Sequence, residues 1–301
     1  MKKSVIFFLV LFFSTFVSYA TNRALLIGVS QYEDSSWKQL SSLNDISILQ
    51  QSLSKDFEIM TLLDKNATYR NIKTQLICLC NSVQPGDTIL IHYSGHGQQM
   101  VAIGTEEVDG LDEALVPYDA YLNYKKGFYE GQCHLRDDEF SLYINNIRKK
   151  LDDKGLIMVV LDTCHSGNSD RSTIEEDEDD PEESIERGVS SIFGKETLSE
   201  KELISLYMKS IKTDYSSIES SGCDIIYISA CLPRETNKEM KDRTTGVSYG
   251  PLSYCLSVAY QKFGIQNVGI LLNEVAKQMI EYAPDQNAMF TNSFGFIPSD
   301  K

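Results

Sequence analysis

Short apolar runs alternate with amphipathic stretches along most of this chain. Residues 23–29 (RALLIGV), 57–63, 88–92, 156–161 and 224–230 (DIIYISA) are apolar runs of strand length. Between them, apolar residues recur at helical spacing. Leu43, Ile46, Leu49 and Leu53 do so over 42–54, and Ile72, Leu76, Leu79, Cys80 and Val83 do so after Thr68. Phe140, Ile144, Ile147 and Leu151 do so over 137–151. Thr68 is placed to cap the second of these helices, and Pro85-Gly86-Asp87 reads as a turn. Gly250-Pro251 precedes a fourth helix over about 252–263, a fifth spans 267–282, and 290–297 reads as a last strand. Apolar strands separated by amphipathic helices predict an α/β fold, with a mostly parallel central sheet and helices on both faces. Two stretches break the alternation. The Gly- and Asp-rich segment from the residues after His96 to about 135 reads as a long loop. Residues 175–186 are nearly all Asp or Glu, with Pro181 inside. Such a block repels itself and buries no core, so a mobile acidic insertion is expected over about 171–200.

The first twenty residues follow another pattern. Met1-Lys2-Lys3 is basic, 5–17 is apolar except for Ser14 and Thr15, and Ser18-Tyr19-Ala20 supplies small residues for cleavage. This predicts a secretory signal peptide over 1–20, because the apolar run is shorter than the roughly 20 residues that span a bilayer. The expected organisation is therefore a signal segment followed by one domain over 21–301. The protein is expected to be periplasmic or secreted, with no stable membrane insertion after signal removal. The formal net charge is −15. That argues against nucleic acid as a partner, since phosphate contacts need a basic surface, and favours cationic partners. An odd count of seven cysteines leaves at least one thiol unpaired in an exported protein. There is no C-x-x-C pair, so structural zinc is not indicated. Small buried core residues are the expectation for every cysteine except Cys164.

The chemistry lies at two strand ends. His92-Tyr93-Ser94-Gly95-His96-Gly97 follows one apolar run, and Asp162-Thr163-Cys164-His165-Ser166-Gly167 follows another. In an open α/β sheet, residues just past the carboxyl ends of neighbouring strands face one crevice. A thiol attacks a carbonyl as the thiolate, and a nearby imidazole can hold its proton and return it to the leaving amine. Cys164 is the candidate nucleophile and His96 the candidate base. The backbone N–H groups of Gly97 and Cys164 are candidate oxyanion donors. His92 and His165 compete as bases, but His92 lies inside the strand and His165 adjoins the nucleophile.

On these two motifs the chain resembles the caspase-like cysteine peptidases, in particular the metacaspase branch. Arg23-Ala24-Leu25-Leu26-Ile27-Gly28, Leu43-Asn44-Asp45 and Asp109-Gly110-Leu111-Asp112-Glu113 add to the resemblance, which is weaker at Ile228-Ser229-Ala230-Cys231. The Gln-Ala-Cys-x-Gly pattern of true caspases is missing at Cys164. The resemblance implies a caspase-like sandwich and cleavage of protein or peptide substrates after Arg or Lys. Asp45, Ser94 and Asp162 would line the pocket for that side chain, where a carboxylate offers a guanidinium a charge-assisted partner. Asp45 reads equally as a helix-start cap. The resemblance also implies Ca²⁺, with Asp112, Asp137 and Asp138 at ligand positions. Arg171 stands at the fourth such position, with Asp170 beside it, and Asp137-Asp138 reads alternatively as a cap. Organic cofactors are not implied. Self-cleavage in the acidic linker is implied too, with Arg171 and Arg187 as candidate sites. A monomer is expected. A catalytically silent binding module and a transpeptidase on the same site are the competing functions.

Overall fold

The structure is a computed structural model that describes residues 20–101, 111–163, 185–189, 222–231, 235–292 and 295–296. In chain order its strands are β1 (Asn22–Gly28), β2 (Glu58–Leu63), β3 (Thr88–Ser94), β4 (Gly97–Val101), β5 (Leu111–Leu115) and β6 (Leu135–Arg136). β7 (Leu156–Asp162), β8 (Gly188–Val189), β9 (Asp224–Ser229), β10 (Met240–Lys241), β11 (Ser248–Tyr249), β12 (Met289–Asn292) and β13 (Gly295–Phe296) follow. The helices are α1 (Ser42–Leu53), α2 (Tyr69–Ser82), α3 (Asp137–Leu151), α4 (Pro251–Phe263) and α5 (Val268–Tyr282).

Seven strands form one sheet in the order β13-β12-β9-β7-β3-β1-β2. The pairs from β2 through β9 are parallel, and β12 and β13 add an antiparallel edge. Successive strand side chains point to opposite faces, and both faces are apolar here. Leu26, Leu90, Met158, Val160 and Ile228 pack under α1, α4 and α5. Leu25, Ile27, Ile89, Ile91, Ile157 and Val159 pack under α2 and α3. The predicted sandwich is thus present, with helices on both faces. Thr68 caps α2 by accepting from the Asn71 N–H at 3.2 Å.

Three local expectations need correction. The segment after His96 is not all loop: β4, β5 and β6 form a second sheet, with β8 on its far edge. Its strands are short and carry Gln98, Gln99, Asp112 and Glu113, so no apolar run announces them. The last strand is a hairpin, with Thr291 opposite Phe296. Cys223, Cys231 and Cys255 are buried as expected, but Cys78 is exposed and Cys80 and Cys133 are half-buried. Cys78 sits on the solvent side of α2, where burial of Ile72, Leu76 and Leu79 fixes the inner face. Among the described residues, no helix is long and apolar enough to cross a membrane.

The register places the site. Ser94, the last residue of β3, lies opposite Asp162, the last of β7, and opposite Gly28 at the end of β1. The two motif-bearing strands are nearest neighbours, and their carboxyl ends are level. Gly28 permits this edge to close on α1, because a Cβ there would come within 2.5 Å of Ile46 Cγ1. Ile91 is fully buried at the centre of β3. Replacing it with Ala should cost about 2–5 kcal/mol of stability, read from the urea midpoint at unchanged m-value.

Candidate active site

His96 follows the last residue of β3 by two positions and is almost wholly buried. Its ring stacks on Trp37 with centroids 5.0 Å apart and lies 5.3 Å from Tyr32. Trp37 is itself held by a hydrogen bond from Nε1 to the Ala120 carbonyl at 2.9 Å. His96 Nε2 lies 2.8 Å from the Lys38 carbonyl oxygen. A carbonyl only accepts, so Nε2 carries the proton and Nδ1 is the basic nitrogen. Nδ1 has no hydrogen-bond partner among the described residues. Burial pushes the imidazole down to about 4, against the opposing pull of the Lys38 and Arg187 carbonyls. At neutral pH the ring is therefore uncharged and able to take a proton.

His92 has a different fate. Its Nε2 lies 2.8 Å from Ser253 Oγ, and Ser253 Oγ donates to Asp162 Oδ2 at 2.6 Å. With the hydroxyl proton committed to Asp162, Nε2–H of His92 donates to Ser253. Burial lowers His92 to about 4. It is fully buried behind Asp162, so it is a support for that carboxylate and not a rival base.

Asp45, Ser94 and Asp162 come together, and what they surround is Arg187. Its side chain is fully buried. Arg187 was expected in the acidic insertion, yet it lies in the core of the site because three carboxylates compensate its charge. Nη2 pairs with Asp45 Oδ2 at 2.8 Å. Nη1 donates to Ser94 Oγ at 2.7 Å and to the Asp162 carbonyl at 3.3 Å, and lies 3.6 Å from Asp162 Oδ1. Glu239 Oε1 is 2.9 Å from Nη2. Asp45 is thus a wall of this pocket and no helix cap: its Oδ1 accepts from the Gly250 N–H at 2.8 Å, and its Oδ2 from Ser94 at 2.7 Å. Burial is the main force raising the Asp45 carboxyl to about 7, with Asp162 adding to it and Arg187 opposing.

The backbone of the same segment is held like an added strand. Arg187 N–H donates to the Asn237 carbonyl at 2.9 Å, and Glu239 N–H donates to the Ile185 carbonyl at 2.9 Å. Glu186 and Lys238 form an antiparallel bridge. On the other side, β8 runs parallel to β4, with Gly97 opposite Gly188. The Gly97 N–H donates to the Arg187 carbonyl oxygen at 3.1 Å. A candidate oxyanion donor therefore already rests on the Arg187–Gly188 peptide.

Several residues of this site carried no signal in the sequence. Asn237 Nδ2 donates to Asp162 Oδ1 at 2.8 Å, and the Ser253 N–H donates to Asp162 Oδ2 at 2.7 Å. Gly250 leaves room for the guanidinium, since a Cβ there would lie 2.5 Å from Arg187 Nη1. Cys164, His165, Asp170 and Arg171 lie outside the described residues. Asp137 and Asp138 open α3, where Asp138 N–H donates to Asp137 Oδ1 at 2.9 Å and the N-cap residue, Arg136, makes no side-chain cap. Asp112 lies on β5, two residues before Ala114, which pairs with Arg136. Among the described residues, no group of three His, Cys, Asp or Glu side chains gathers to hold a metal.

The sheet, covered by helices on both faces, carries the histidine motif at the end of β3, and the cysteine motif follows β7 in the sequence. The caspase domain family matches residues 21–294, and the chain belongs to that family. Among curated relatives, Metacaspase-6 of Arabidopsis thaliana is 28% identical over 63% of this chain and 49% of its own length. Metacaspase-1A of Aspergillus oryzae is 25% identical over 86% of this chain and 65% of its own. The chain thus spans half to two thirds of the length of these two relatives. A solved protein from Geobacter sulfurreducens superposes with a TM-score of 0.64 at 18% identity, covering 92% of this chain and 94% of that one. Caspase-1 of Spodoptera frugiperda does so at 0.54 and 12% identity, covering 90% and 86%. Both likenesses are of fold.

Buried histidines set the acid limit of stability. His92, His96 and His134 are all depressed by burial, to about 4, about 4 and about 3. The stability each contributes is full above its ordinary value near 6.5 and is lost as pH falls toward those lowered values. Asp45 runs the other way: its raised carboxyl contributes most when protonated, and that contribution fades as pH rises from about 4 through about 7. Three groups oppose one, so the melting temperature of a Cys164→Ala protein should fall between pH 6.5 and 4.

Proposed function

We propose that this protein is an exported cysteine endopeptidase that cleaves after Arg or Lys and processes itself at Arg187–Gly188. The observation that carries the reading is the Arg187 carbonyl on the Gly97 N–H, with its side chain filling an acidic pocket. The pairing of Ile185 and Arg187 with Glu239 and Asn237 supports it, because proteases commonly hold a substrate as an added β-strand. Cys164 comes two residues after Asp162, whose main-chain carbonyl and carboxylate both face the guanidinium.

The chemistry follows from these placements. His96 Nδ1 accepts the Cys164 thiol proton, and the thiolate sulfur bonds to the Arg187 carbonyl carbon. Charge then builds on the carbonyl oxygen, where Gly97 N–H is already aligned. The imidazolium proton passes to the Gly188 nitrogen as the C–N bond breaks, and water releases the thioester. Cleavage frees Arg187 as a new carboxyl terminus, and its departure opens the pocket to other chains. The basic, apolar and small-residue order of 1–20 supports export. The family resemblance is what supports calcium as a ligand, for which Asp137 and Asp138 would supply carboxylate oxygens.

Incubation of the purified full chain should produce a fragment whose N-terminal sequence begins at Gly188. A Cys164→Ala protein should stay intact, and Arg187→Ala should abolish that fragment while leaving Cys164 open to a thiol-reactive peptide. Equal loss of intact chain in the Cys164→Ala protein would overturn the reading. Running the same incubation in calcium and in chelator tests the metal: a rate that does not change removes calcium from the account.

The pocket also fixes a pH dependence. With Arg187 gone, Asp45 loses the largest of the pulls that hold it down and keeps only those of Ser94 and the Gly250 N–H, so an incoming cation must displace its proton. For the processed enzyme, KM for a peptide with Arg before the scissile bond should fall as pH rises through the raised titration of Asp45. An Asp45→Asn protein should lose that limb while binding more weakly throughout; a limb that persists in it would assign the titration elsewhere.

A further inference from the structure

We propose that Glu239 is a third pocket carboxylate that makes this site select arginine over lysine, so that its substrates are peptides with arginine before the scissile bond. The inference rests on the peptidase reading above and narrows its substrate class.

Glu239 follows Lys238, which bridges Glu186, and immediately precedes β10. It does two things at once. Its main-chain N–H holds the Ile185 carbonyl, two residues before Arg187, at 2.9 Å. Its side chain turns back into the pocket, where Oε1 meets Arg187 Nη2 at 2.9 Å. The carboxylate is fixed from its other side, because the same oxygen accepts from the Ser41 N–H at 2.6 Å. Its side chain is only 4% exposed. Register and side chain therefore belong to one rigid unit: any chain that pairs with 237–239 presents its next side chain to Glu239.

The guanidinium divides its donors between two walls. Nη1 serves Ser94 and Asp162, and Nη2 serves Asp45 and Glu239. A planar fork with two terminal nitrogens reaches both walls at once. A lysine ammonium is one nitrogen, on a shorter reach, and occupies one position only. Placed at the Ser94 and Asp162 wall, it leaves Glu239 and Asp45 buried without a cation. Placed at the other, it abandons Asp162. The third acid therefore gives arginine a charged hydrogen bond that lysine does not reach. Without Glu239 the Nη2 wall is Asp45 alone, and arginine loses a charged partner that a single ammonium at the Ser94 and Asp162 wall never meets.

Two measurements test this. The first uses the processed enzyme and a pair of fluorogenic peptides that differ only in Arg or Lys before the reporter. The wild type should favour Arg in kcat/KM by about 10- to 100-fold, the range for one charged hydrogen bond. Glu239→Ala should lower the Arg rate by a similar factor and change the Lys rate by less than about threefold. An Arg to Lys ratio that survives in Glu239→Ala overturns the proposal, as does a wild type that takes both equally. Glu239→Gln, which keeps the Ser41 contact, should show the same loss of ratio and guards against a folding defect.

The second measurement needs no catalysis. In the full chain carrying Cys164→Ala, Arg187 is the pocket's own occupant. Melting temperatures of Arg187→Lys, Glu239→Ala and the double variant form a cycle. The Arg187→Lys penalty should shrink when Glu239 is absent; additive shifts overturn the proposal. If the wild type cleaves neither peptide while the cycle shows coupling, the peptidase reading fails and the pocket assignment stands. If both peptides are cleaved with an unchanged ratio, Glu239 fails and the peptidase reading stands.

Discussion

The site depends on one buried cation. Arg187 draws Asp45 from α1, Ser94 from β3, Asp162 from β7 and Glu239 from the segment before β10 onto a single guanidinium. Buried charges are tolerated only when paired and hydrogen-bonded. Here the pairing is reciprocal: the acids would repel one another without Arg187, and Arg187 could not leave water without them. Burial works to strip the proton from Arg187, but Asp45, Asp162 and Glu239 outweigh it and hold the charge more firmly than in water. Asp45 lies at the balance point, since burial and Asp162 push it up while Arg187 pulls it down.

That constraint explains the neighbouring packing. Gly250 cannot carry a side chain, because the space belongs to the Asp162 carboxylate and Arg187 Nη1. Ser253 and Asn237 spend their polar atoms on Asp162, and His92 holds Ser253 in turn, which orients the Asp162 carboxylate. Second-layer hydrogen bonds of this kind keep reacting groups within the narrow geometry that catalysis needs. His96 is positioned separately, by aromatic stacking and the Lys38 carbonyl. The two systems meet at one short stretch of chain: Lys38 holds His96, and Ser41 holds Glu239.

A protein that keeps its own arginine in such a pocket is occupied by a segment of itself. The carbonyl that follows this side chain rests on a backbone donor that stabilises negative oxygen. The contacts that hold this arginine come from four separate elements, so the segment and the pocket are ordered together.

The sequence by itself determined the layered fold, because the spacing of apolar residues is a one-dimensional record of which faces are buried. Leu25 and Leu26, or Val159 and Val160, alternate between the two helical layers as their strand positions require. It also marked His96, Cys164, Asp45, Ser94 and Asp162, because each sits in a contiguous motif at a strand or helix end. Only the tertiary structure decided the rest. Which of two readings held for Asp45 depended on Gly250 and Ser94, 205 and 49 residues away. Glu239, Asn237 and Ser253 belong to no motif, and their roles arise where separate elements converge. The small sheet of β4, β5, β6 and β8 has too few apolar residues to announce itself. Arg187 illustrates the difference most plainly: beside a run of acids it reads as solvated chain, and its burial follows from carboxylates that are distant in sequence and adjacent only after folding.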